Sequence, residues 1–304
     1  MIHPGRYRSL GALLRDALVQ FKSETALVEV SRRREVHRLT YLDTRHRAMA
    51  LARHLESRGI GEGFRLAILM SNQSAWLVTA LAALHRGCVL VPLDFKLSGP
   101  EQATLLRHSG AQALVTEYGL FKKLPDHDLD HVLVTEAPSR AELPRGVHRW
   151  EDHAAPDPAA PEATFVPRDR EDPCCIVYSS GTGGAPKGCV LPHRAYLAQY
   201  HALLDLFPMQ PGHVFFSVLP TNHAIDFMAG FVGPFCCGAT VVHQRTLRPE
   251  HLRWTMRRYR PTHMAMVPAL LTAFERAIDD KLDALPPWQR SAVNGLTELN
   301  DRLT

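Results

Sequence analysis

The chain reads as an α/β protein with mainly parallel sheets flanked by helices. Three observations over its 304 residues predict this. Short apolar runs alternate with longer segments whose apolar side chains recur every three or four positions. A proline-rich stretch, 137–173, interrupts that alternation once, and the alternation then resumes. A glycine-rich loop follows directly on one of the apolar runs, as at the carboxyl end of a strand in an open α/β sheet.

Residues 10–21 place Leu10, Leu13, Leu14, Ala17, Leu18 and Phe21 at helical spacing. Residues 26–30 and 36–39 are expected to form a hairpin around the run Arg32-Arg33-Arg34. A helix opens at 39–43, continues to Arg58 and stops at Gly59. Strand 66–70, helix 73–86, strand 88–92, helix 99–108 and strands 113–116 and 131–135 follow, which makes a series of βαβ units. Seven prolines and few large apolar residues fall in 137–173, so this is expected to be a linker or surface excursion. It would separate a first α/β lobe, 1–136, from a second, 174–304. The second lobe is expected to hold strands 174–178, 188–191, 214–219, 239–243 and 264–267, with helices at 194–207, 225–235, 249–258 and 269–280. Residues 294–304 read as a polar amphipathic helix that stops without a Gly or Asn cap, in the manner of a truncated sequence.

Composition narrows the function classes. Hydrophobic content of 45% and charged content of 22% are ordinary for a globular protein, and the net charge of +4 is small. The basic residues are scattered, and the run 32–34 is too short for a nucleic-acid stripe, so it reads as a solvated turn. Six cysteines, two adjacent pairs among them, lack any C-x-x-C spacing; buried thiols in a reducing compartment are expected, not disulfides or zinc ligands. The N-terminus has no apolar signal core, and the longest uncharged stretch, 227–242, is too short to span a bilayer. A cytoplasmic location is the expectation.

The chemistry is concentrated in 174–193, CCIVYSSGTGGAPKGCVLPH. After the apolar run come Ser179, Ser180, Gly181, Thr182, Gly183 and Gly184, then Pro186, Lys187 and Gly188. Three glycines within four residues allow successive N–H groups to converge on one point. Three hydroxyls and an ammonium add donors, and no carboxylate intervenes before His193. The loop suits polyphosphate. A Walker A loop is excluded, because counting from Gly181 puts Pro186 at the second glycine and Gly188 at the magnesium-binding hydroxyl. The dinucleotide pattern fails at the same proline.

This order of residues resembles the signature loop of the adenylate-forming (AMP-binding) superfamily, and in particular its acyl-CoA synthetases of the long-chain fatty acid–CoA ligase type. The resemblance runs over nearly the whole chain, which would be the N-terminal portion of such an enzyme, with no C-terminal domain. It implies stacked α/β subdomains and a loop that holds the β- and γ-phosphates of ATP. ATP, Mg²⁺ and coenzyme A would be the co-substrates and cofactors, and a small-molecule carboxylate, a fatty acid, the substrate. The acyl substrate would allow peripheral membrane contact; neither a nucleic acid nor a partner protein is implied. Where the family has Thr, this chain has Gly183. His223, in Pro220-Thr221-Asn222-His223, matches a Pro-x-x-His element near the family's acyl and thioester site and is the candidate catalytic residue. Read without the resemblance, Asn222 or Asp226 would cap a helix and His223 would be incidental. Val267-Pro268 resembles the family's step before its next helix, and Met264, Met266 and Leu271 are expected in the core, an acyl channel being the alternative. His193 and Arg194 are expected to cap and pack. The family's later Tyr-Gly-x-Thr-Glu segment, ribose-binding Asp and transition-state Lys are missing, so full turnover by this chain is expected to be deficient. The alternatives are an adenylating enzyme that loads a carrier protein and a non-catalytic nucleotide- or acyl-binding remnant.

Overall fold

The computed structural model describes residues 2–125, 127, 129–179 and 186–301, the side chains of 294 and 297–301 apart. The chain divides into two compact units, Met1–Ala265 and Met266–Thr304. The first contains β1 (Thr25–Ser31), β2 (Arg34–Thr40), β3 (Arg65–Leu69), β4 (Val89–Pro92), β5 (Ala113–Glu117), β6 (Val132–Thr135), β7 (Val147–Arg149), β8 (Pro173–Ser179), β9 (Lys187–Pro192), β10 (Val214–Ser217), β11 (Thr240–Gln244) and β12 (His263–Met264). They form a five-stranded sheet, β12-β10-β11-β1-β2, and a seven-stranded sheet, β7-β6-β5-β3-β4-β8-β9. Pairing is parallel except at β1–β2 and β8–β9.

Both faces of the seven-stranded sheet are covered, as the unbroken apolar runs require. Leu66 and Ile68 point into a large core with Trp76, Tyr41 and Tyr200, while Ala67 and Leu69 point into a second core with Val91, Leu114 and Val134. Helix Ser74–His85 is buried along its whole length. Helix Tyr41–Ser57 begins in a capping box: Thr40 N–H donates to Asp43 at 2.9 Å and Asp43 N–H to the Thr40 hydroxyl at 3.0 Å. Gly59, at φ +71°, lies just beyond its end.

Several expectations are corrected. The first concerns the lobes, which are not sequential: β1 pairs with β11, so one sheet draws strands from both sides of 137–173. That segment is also more than a linker, since it supplies β7 and the buried Trp150, whose Nε1 donates to Thr79 at 3.0 Å. A second correction is at the expected helix 225–235, which is a short α-helix (Ala224–Asp226), a π-helical stretch (Phe227–Val232) and a further α-turn (Gly233–Cys236). Pro234 has no N–H to give the Gly230 carbonyl, so regular i→i−4 bonding cannot run through. Third, the strand expected at 264–267 is only His263–Met264: its pairing with β10 ends at the Phe216–Met264 pair, and Val267, though extended, is already the N-cap of the next helix. Finally, five cysteines are buried but Cys189 is exposed on β9, an edge strand. The second unit consists of helices Pro268–Asp283 and Pro287–Asp301, with Arg290 paired to Asp283 at 2.6 Å. Met266 and Leu271 are about half exposed, not core.

Candidate functional site

Since β3, β4, β5, β6 and β8 run parallel, their carboxyl ends share one edge of the seven-stranded sheet. The ends of β1, β10 and β11 likewise share an edge of the other sheet. Side chains join the two edges. Asn72, just past β3, donates to Leu219 O at 2.6 Å and accepts from Thr221 N–H at 2.9 Å, just past β10. Arg245, just past β11, pairs with Glu136 after β6 and lies 3.5 Å from Glu29 and 3.8 Å from Glu117. The carboxyl edges of open α/β sheets are where ligands bind, and here two such edges meet.

The glycine-rich segment joins β8 to β9, and the strand ends that flank it lie on that edge. Ser179 and Lys187 are direct cross-strand partners at its mouth, and Lys187 is exposed. Behind them Tyr178 pairs with Gly188, and its hydroxyl makes a 2.8 Å hydrogen bond with His108 Nδ1. A Cβ on Gly188 would sit 3.4 Å from the Tyr178 ring. Ser180, Gly181, Thr182, Gly183 and Gly184 lie outside the described residues. The strand pairing thus brings one hydroxyl and one ammonium to the two ends of the loop.

His223 stands in the turn after β10, at the N-cap of Ala224–Asp226, and is exposed. Among the described residues no hydrogen bond or ion pair joins it to Ser179 or Lys187, which belong to the other sheet. The polar centre of this turn is Asp226. It is fully buried, and its Oδ2 accepts from Ser217 Oγ at 2.9 Å and Thr221 Oγ1 at 3.0 Å. Burial pushes its carboxyl up to about 7, and the two hydroxyl bonds offset only part of that. Asp226 Oδ1 and the buried Asn222 Oδ1 have no partner among the described residues. Gly230 permits this arrangement, because a Cβ there would lie 2.3 Å from Asp226 Oδ1. Asp226 is therefore a tertiary anchor for 217–221 and not a helix cap.

Sequence reasoning missed Asn72 and Arg245, whose partners are remote in sequence, and Ser217, whose hydroxyl meets both Asp226 and the remote Asn72. The usable signal was that each sits at or just past the carboxyl end of a strand. His193 does cap, but it caps another helix: its Nδ1 accepts from Leu10 N–H at 3.2 Å. Burial pushes its imidazole down to about 4. Arg194 pairs with Glu171 at 2.8 Å. Among the described residues no group of three or more His, Cys, Asp or Glu is arranged for a metal, and no helix is long and apolar enough to cross a membrane.

The family model described as "AMP-binding enzyme" matches residues 14–297. A feruloyl-CoA synthase from an Amycolatopsis species is 34% identical over 261 residues, covering 86% of this chain and 48% of the relative. A 4-coumarate–CoA ligase-like protein from Oryza sativa is 32% identical over 235 residues, covering 74% of this chain and 42% of the relative. The chain thus spans less than half the length of these two relatives. An acyl-CoA synthetase structure from Brucella canis superposes with a TM-score of 0.79 at 24% identity, covering 92% of this chain and 50% of that one. The N-terminal subdomain of Klebsiella oxytoca NpsA superposes with a TM-score of 0.74 at 16% identity, covering 90% and 64%. These two structures share the fold.

Proposed function

The chain belongs to the AMP-binding enzyme family, and from that premise we propose that it serves ATP-dependent activation of a carboxylic acid and transfer of the acyl group to the thiol of coenzyme A. The observation that carries the proposal is the hairpin mouth, where Ser179 and Lys187 face each other across the glycine-rich turn on the carboxyl edge of the sheet. In the reaction the acid's oxygen bonds to the α-phosphorus and pyrophosphate leaves; the thiol then displaces AMP. Lys187 would place positive charge against the departing phosphates, and the loop N–H groups would hold them in line. His223, in the turn after β10 in the other sheet, is the proposed residue on the acyl side, with the Asp226 anchor holding its turn. Mg²⁺ would neutralise phosphate charge when bound; the described residues offer no carboxylate or imidazole cluster for it, and no step is assigned to it.

Coenzyme A is favoured over a carrier protein because the relatives at 34% and 32% identity carry coenzyme A ligase or synthase names. Peptide synthetases match at 26% and 28%. The same two names, feruloyl and coumarate, favour an aromatic acid over the fatty acid expected from sequence.

Titrating MgATP into the chain should show saturable binding, weakened about tenfold by Lys187→Ala through loss of a charge-assisted contact. Equal affinity in both proteins would overturn the phosphate-site assignment. Acid-dependent pyrophosphate exchange with ferulate, 4-coumarate and hexadecanoate then tests the substrate. Exchange is expected to be strongest with the aromatic acids; exchange with hexadecanoate alone would reverse the acid assignment.

A further inference from the structure

A groove in the unit Met1–Ala265 is lined by Arg33, Glu250, Arg253, Trp254, Arg257 and Arg258. Arg33 is in the turn between β1 and β2, and the other five are on helix Pro249–Tyr259. Four guanidinium groups therefore converge on one concavity. Among the described residues none of the four has a carboxylate within ion-pair distance, whereas Arg45, Arg86, Arg168, Arg194 and Arg245 each have one. Glu250 is the one carboxylate among the lining residues, and its charge is engaged locally. Its own backbone N–H, then His251, Arg248 and Arg33, hold its carboxyl below the usual range. Arg253 and Arg257, one turn apart, are a like-charge pair with no internal compensation.

The walls of this groove are tied together at both ends. The buried Gln244 donates to Arg32 O at 3.3 Å, and its other side-chain atom accepts from Thr255 Oγ1 of the helix. On the other side Tyr259 donates to Glu35 at 2.7 Å, and Glu35 is held by Arg38 through two bonds of 2.8 Å. The hairpin turn and the helix cannot separate without breaking both ties, so the backbone positions that carry the four arginines are held together around the groove. Preorganisation lowers the cost of binding.

Guanidinium groups bind phosphate oxygens in a fork and stack on aromatic planes, and an indole lies among them. Trp254 is half-buried between the arginines and does not project as an aromatic membrane anchor would. We propose that this groove binds a small molecule carrying several phosphates, of the nucleoside polyphosphate class, at a site separate from the β8–β9 loop. The phosphates would lie on Arg33, Arg253, Arg257 and Arg258, and the base on Trp254.

The test uses the whole chain with Lys187→Ala, so that binding at the loop is weakened first. Inorganic triphosphate at low ionic strength should still bind by calorimetry, at one site. Arg253→Ala with Arg257→Ala should weaken that binding about a hundredfold, roughly tenfold per guanidinium, with an unchanged circular dichroism spectrum. ATP should bind the same site and change tryptophan fluorescence, and Trp254→Phe should remove that change. Three results would each overturn the proposal. One is an affinity for triphosphate that the double substitution leaves unchanged. Another is complete loss of triphosphate binding in Lys187→Ala alone. The third is arginine-dependent binding to phosphatidylglycerol vesicles without any binding of triphosphate, which would make the groove a membrane contact.

Discussion

Asp226→Asn tests whether the buried carboxyl behind the His223 turn is held protonated by its surroundings. The side chain is fully buried, with two hydroxyl donors on Oδ2 and none on Oδ1 among the described residues. Its carboxyl is pushed from 3.8 up to about 7. Below pH 3.8 both the folded and the unfolded chain hold the proton, and the site leaves stability unaffected by pH. Between 3.8 and about 7 the unfolded chain gives up its proton while the folded chain keeps it, so stability falls as pH rises. Above 7 the loss is constant. Roughly three pH units at 1.36 kcal/mol each amount to about 4 kcal/mol. Asn cannot ionise and keeps an acceptor for Ser217 and Thr221. Urea unfolding of both proteins at half-unit intervals from pH 4 to 8 should show the variant gaining about 4 kcal/mol on the parent between pH 4 and 7. Other titrating groups cancel in that difference. Parallel profiles would refute the reasoning, because they would mean that Asp226 ionises in the folded chain as readily as in water.

Gly230→Ala would put a Cβ 2.3 Å from Asp226 Oδ1, and overpacking of this kind should cost about 2–3 kcal/mol in thermal unfolding; a loss under about 0.5 kcal/mol would contradict the close approach. Arg245→Met leaves the buried Glu29 without its cation and should destabilise by about 3–5 kcal/mol, part of which Glu29→Gln should restore in the double variant. Additive losses would argue against the pair. His54 stacks on His153 at 3.7 Å, and burial with His153, Arg58, His148 and His131 nearby pushes it down to about 4. Its contribution is present above pH 6.5 and is lost as pH falls towards 4, about 1–2 kcal/mol after allowance for its partial exposure. His54→Leu should flatten the stability profile in that window, and an unchanged slope would count against the cluster.

Much of the fold was legible because apolar period and punctuation act locally. The Thr40–Asp43 cap, the stop near Gly59 and the alternating βαβ segments need only neighbouring residues to be read. Irregularities also have local causes once they are known. Pro234 disturbs the helix after β10, and Pro268 marks the first turn of the next helix. The candidate loop was visible as well, as a run of glycines, hydroxyls and one lysine without carboxylates.

What the sequence by itself determined is therefore the α/β alternation, the candidate loop from Ser179 to Gly188 and the resemblance that the family match bears out. What only the tertiary structure decided is which strands share a sheet and which side chains meet. β1 lies beside β11 although about two hundred residues separate them. Asn72 reaches Thr221, Arg245 gathers three glutamates, and Asp226 lies buried beneath the His223 turn. The physical reason is that hydrogen bonding between strands and the burial of charge depend on proximity in space. A linear pattern of apolar and polar residues specifies which face of an element is buried, and leaves open what that face is buried against.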